Sequence, residues 1–188
     1  MGNFYTNLTL RGPSQFAVAA ALTGRIALVT PVEAGCVVVF DEQSEGQDAE
    51  GMAELAVTLS RRFRCPVLGI ANHDDDILTY QFYHAGALED EYDSCPNYFD
   101  PDAEPAAPAG GDAAKLCAAF GSDNVAEVES ILHRSGWDED GYTFEVERHE
   151  DLVLALGLPV FGVGAGYNYV SRGEMPDGLT VENLMRVQ

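Results

Sequence analysis

Two acidic clusters hold most of the residues whose types and spacing could do chemistry. The first is Asn72-His73-Asp74-Asp75-Asp76, and the second is Glu89-Asp90-Glu91-Tyr92-Asp93. A hard divalent cation is held by several carboxylate oxygens converging from a flexible loop, and a neighbouring histidine could add a nitrogen ligand. The metal-ligand set this suggests is His73, Asp74 and Asp76 with His84, and its chemistry would be metal-assisted hydrolysis. Three successive aspartates are also a common turn, because Asp accepts hydrogen bonds from its own backbone there. That reading leaves no metal and no cofactor.

An Asn-His-Asp tripeptide at a strand end occurs in dinuclear metallophosphoesterases. The remaining motifs of that set, an early Asp-x-His, a second Gly-Asp and a late Gly-His-x-His, are absent from this sequence, so the chain is not placed there.

Charge decides which partners are reasonable. Thirty-one Asp and Glu stand against ten Lys and Arg, of which only Lys115 is a lysine, and the formal charge is −21. Nucleic acids are bound mainly through basic groups that displace phosphate counterions, and anionic membranes attract basic segments, so neither is an expected partner. A basic protein is. Asp74, Asp75, Asp76, Glu89, Asp90, Glu91 and Asp93 lie on either side of a single predicted hairpin, which would bring them to one sheet edge as a docking surface. Such a surface would suit an inhibitor-like or immunity-like protein, since focused negative potential speeds association. The competing explanation is an edge strand protected by charge.

Other candidates carry less. Gly162-Val163-Gly164-Ala165-Gly166 is rich in glycine, but a phosphate loop needs a helix opening directly behind it, and Tyr167-Asn168-Tyr169-Val170 favours strand. His73, His84, His133 and His149 form no i, i+3 or i+4 pair. His149, among Glu145, Glu147, Glu150 and Asp151, reads as a solvated helix start. Tyr80, Tyr83, Tyr92, Tyr98, Phe99, Tyr142, Tyr167, Tyr169 and Trp137 read mainly as core, although aromatics beside carboxylates suit a cationic ligand. Cys36, Cys65, Cys95 and Cys117 include no C-x-x-C, which argues against zinc and for reduced thiols in a cytoplasmic setting. The start of the chain has neither the basic nor the apolar region of a signal peptide.

The elements that must position these residues follow from periodicity. Alternation over 3–10 and short apolar or β-branched runs over 26–30, 36–40 and 67–71 predict strands, with helices at 14–23 and 48–64 between them. Ser14 and Asp48 are the expected N-caps. The order β-α-β-β-α-β points to an α+β, ferredoxin-like antiparallel sheet over residues 1–95, extended by a hairpin over 77–92. Four prolines and Gly110-Gly111 mark residues 96–111 as a linker or loop. Residues 112–188 are expected to form a mainly helical part, capped at Asp112 and Asp123. Residues 142–146 are expected as a short strand or extended piece leading into a helix from about Arg148 to Leu156, and residues 160–170 as the final strand, followed by loop and one helical turn.

Overall fold

Alternating apolar residues build the sheet. The computed structural model describes residues 2–47, 49–104, 106–136 and 140–188. Strand β1 (Tyr5–Arg11) turns Leu8 and Leu10 to one face and Tyr5 to the other. Ser14 caps α1 (Gln15–Ala21) by accepting from the Ala17 N–H. Next come β2 (Ala27–Val29), β3 (Cys36–Asp41), α2 (Ala49–Phe63) and β4 (Pro66–His73). Asp48, the expected cap of α2, lies outside the described residues.

Two further long strands, β5 (Ile77–His84) and β6 (Ala87–Asp93), form the predicted hairpin, and the short β7 (Ala109–Gly110) pairs with β6. Three helices follow: α3 (Ala113–Phe120), α4 (Val125–His133) and α5 (Glu145–Leu156). A short α6 (Tyr167–Ser171) and an edge strand β8 (Met185–Val187) complete the order.

The result, among the described residues, is an α+β fold with six α-helices and one antiparallel sheet of eight strands, ordered β7-β6-β5-β4-β1-β3-β2-β8. This is not the order of a simple ferredoxin-like sandwich. Strands β5, β6 and β7 lengthen one side of the sheet and β8 closes the other. Helices pack on both faces. On one, α1 and α2 cover Leu8, Leu10, Val37, Val39 and Val67. On the other, α3, α4 and α5 cover Tyr5, Leu68, Ile70, Leu78, Tyr80 and Phe82. Beside them Phe161, Ala165 and Val170 cover Val38 and Phe40. No helix among the described residues is long and apolar enough to cross a membrane.

Several local expectations fail for identifiable reasons. Residues 160–170 are not a strand but a 3₁₀ turn, Val160–Gly162, followed by α6. The Asn7 side-chain amide holds the glycine run by donating to the Gly162 and Ala165 carbonyls, and Gly164 adopts a φ of +65°. Residues 142–144 form no strand, and α5 begins at Glu145, before the expected start near Arg148. The tail pairs with β2 as β8. Asn124, not Asp123, is the N-cap residue of α4.

Candidate functional site

The strand register writes the floor of a groove across the sheet. Thr6 faces Ala71, Ala71 faces Thr79, and Thr79 faces Asp93. Directly opposed residues on neighbouring strands share a face, so these side chains form a row of small groups ending in a carboxylate. The next row is Leu8, Gly69, Gln81 and Glu91. There Met52 of α2 lies so close to Gly69 that an added Cβ would stand 3.3 Å from its sulfur. Beyond Met52 the floor opens into a groove of about 660 Å³.

An aromatic wall bounds one end of this groove. His73 is met edge-on by Phe4 and Phe99, each with its ring centroid 5.1 Å away, and by Tyr98 at 6.2 Å. The imidazole is held from behind: Nδ1 lies 2.9 Å from Gln47 Oε1. The Gln47 amide nitrogen in turn donates to the Asn72 carbonyl, though the distance of 2.5 Å is short. Phe99, in the segment expected as a linker, is 72 % exposed although it forms part of this wall. Across the groove stand Glu91 and Asp93. Burial pushes the Asp93 carboxyl above the usual carboxylate range, against the opposing hydrogen bond it accepts from the Cys95 N–H.

The seven predicted acidic residues do not gather at one edge. Asp74 and Asp75 adopt left-handed conformations, and the Asp76 N–H closes the turn onto the His73 carbonyl. Asp74 and Asp76 remain exposed at the aromatic end, where Asp76 accepts from the Tyr98 hydroxyl at 2.7 Å. That hydrogen bond holds the Tyr98 phenol above its ordinary range. Asp75 turns inward and is 7 % exposed. It accepts from the Asn3 backbone and amide nitrogens and from the Asn72 amide, so it anchors the chain start and not a partner. Asp90 faces the opposite side of the sheet and accepts from the Tyr80 hydroxyl and the Asp112 N–H. Glu89 falls at the irregularity in the β5–β6 pairing, towards the far end of the hairpin. Only Glu91 and Asp93 line the groove.

The alternative metal set is dispersed as well. His73 pairs with Ile77 and Pro66 with His84. The two histidines therefore lie at opposite ends of β4 and β5, about 23 Å apart at roughly 3.3 Å per residue. Among the described residues no group of three or more His, Cys, Asp or Glu is placed to hold a metal ion. Cys36, Cys65, Cys95 and Cys117 are free thiols.

Several buried polar groups that look reactive in isolation serve the fold. His149 is not solvated: it is 2 % exposed, with Nδ1 2.7 Å from the Tyr5 hydroxyl, and burial pulls its pKa down to about 3. Arg148 is fully buried, forms a two-point ion pair with Glu145, and lies over the Tyr142 ring at 4.5 Å. The glycine run does open a helix behind it, but the position an anion would take is filled. Glu45 accepts from the Tyr167 and Asn168 N–H groups at the start of α6.

No protein-family model matches the chain, and neither a curated protein nor a solved structure matches it. The sequence carried a signal for Glu91, Asp93 and His73. It carried none for Phe4, Gln47 or Met52, whose parts depend on contacts between distant segments.

Proposed function

We propose that this chain is a non-catalytic binding module whose groove takes a basic, partly apolar segment of a partner protein. One observation carries the reading: Phe4, His73 and Phe99 form an aromatic wall in the same groove as Glu91 and Asp93. An arginine or lysine side chain has an apolar stem and a cationic head. The stem suits the small-residue floor, the head suits the carboxylates, and an aromatic face attracts either cation. The net charge of −21 favours the encounter, since complementary potentials raise association rates. This moves the docking surface from the hairpin edge to the sheet face beside it.

The test is titration of ¹⁵N-labelled protein with a capped Leu-Arg-Leu peptide. Saturable shifts of the Ala71, Thr79 and Gln81 amides are expected. Shifts spread over exposed acidic residues of α4 and α5, with none in the groove, would contradict the reading.

A further inference from the structure

A second groove has the opposite character. It encloses about 910 Å³ where the ends of β1, β4 and β5 meet α3. Arg11, Arg64 and Lys115 line it together with His84, and Glu89 is the one acidic residue among its described lining groups. Three of the ten Lys and Arg of a chain with thirty-one acidic residues therefore converge on one opening.

The individual side chains are placed with some care. Lys115 donates to the Glu89 carbonyl at 2.9 Å and lies 3.7 Å from the Asp112 carboxylate, which holds its ammonium at the rim. Arg11 lies against Gly121, where an added Cβ would stand 2.8 Å from a guanidinium nitrogen. The position of Arg64 is the most telling. It ends α2 with a φ of +48°, and the following Cys65 N–H returns to the Ser60 carbonyl. This is the left-handed residue after a helix, where glycine is the favoured choice. An arginine there accepts backbone strain that glycine would avoid, and strain of this kind collects at functional positions. Arg11 and Arg64 form no hydrogen bond or ion pair with the described acidic side chains.

We infer that this groove binds the phosphoryl group of a small phosphate monoester, with its organic body against Phe63, Phe82 and Pro66. Guanidinium groups match phosphate oxygens in two-point geometry and Lys adds a point charge, while the apolar lining accepts a carbon skeleton. Cys65 does not act as a nucleophile here, since burial raises its pKa to about 11.

Phenyl phosphate is the probe, followed through the Gly12, Cys65 and Ala118 amides of ¹⁵N-labelled protein. Saturable shifts are expected there. Arg64→Gly fits the backbone, so its thermal midpoint should hold or rise while affinity falls by about tenfold or more, the loss of one charge-assisted hydrogen-bonding group. Arg11→Gln should weaken binding similarly, and Arg172→Gln, outside the groove, should not. The inference is overturned by shifts that do not saturate, by equal weakening in Arg172→Gln, by unchanged affinity in Arg64→Gly, or by benzoate binding as tightly as phenyl phosphate.

Discussion

Phe99 stands edge-on to His73, with ring centroids 5.1 Å apart and planes at 82°, while keeping 72 % of its surface in water. A large apolar ring packed on one side and open on the other adds little to folding and offers contact area to a partner. Phe99→Ala is therefore expected to change stability by less than about 1 kcal/mol, as exposed substitutions do. It should weaken binding of the Leu-Arg-Leu peptide several-fold. Urea unfolding and peptide titration of the same variant check both halves.

The Arg148–Glu145 pair has the opposite balance. Its value is local: NH1 of Arg148 also donates to the Ile131 carbonyl at 2.6 Å, joining α5 to the end of α4. Removing one member of a buried ion pair leaves an uncompensated charge at a cost of about 3–5 kcal/mol. Arg148→Met should show a loss of that size in urea unfolding, and adding Glu145→Gln should recover part of it. The m-value should stay near that of the parent if only native contacts are lost.

His149 sets a pH dependence with a definite sign. Its pKa falls to about 3 in the fold, against roughly 6.5 in an unfolded chain. Its contribution to stability is complete above pH 6.5 and is lost as pH falls toward 3, at about 1.4 kcal/mol per pH unit once the unfolded chain is protonated. Glu45 and Glu145 act in the other direction, because burial raises both and the fold takes up their protons first. The comparison of parent with His149→Gln isolates the histidine. The variant should show a flatter fall in stability between pH 6 and 4, read from urea midpoints.

Gly166 and Glu45 are coupled. A Cβ at Gly166 would lie 2.6 Å from both Glu45 carboxylate oxygens, and those oxygens hold the first N–H groups of α6. Gly166→Ala should cost about 1–3 kcal/mol, as overpacking does. Combined with Glu45→Ser it should cost less than the sum of the two single changes, a coupling that a double-mutant cycle reads directly.

The local reading of the sequence reached furthest where neighbours along the chain determine the outcome. Alternation in Tyr5–Arg11 and Ile77–His84, the Ser14 and Asp112 caps, and the Asp74–Asp75 turn are all short-range features. It stopped where distant segments decide. Tyr167-Asn168-Tyr169-Val170 has strand-favouring residues, yet a carboxylate some 120 positions earlier caps it as a helix, since Glu45 is 122 residues from Tyr167. Acidic residues close together in the sequence separated for the same kind of reason. Alternation sends Asp90 and Glu91 to opposite faces, and Asp75 is drawn inward by Asn3, 72 positions away. His149 sits in a charged stretch that looks solvated, and only the packing of α5 on Tyr5 makes it core.

The most direct test of the basic-segment groove compares two double variants that change net charge equally. Glu91→Gln with Asp93→Asn neutralises the groove, and Glu127→Gln with Glu129→Gln neutralises α4 elsewhere on the surface. The Leu-Arg-Leu peptide is titrated into each by calorimetry at low and physiological ionic strength. If the groove is the site, the first pair weakens binding about tenfold or more and flattens its salt dependence, while the second leaves affinity within about twofold of the parent. Equal loss in both variants would show that the acidic surface acts diffusely, and would contradict the assignment of the groove.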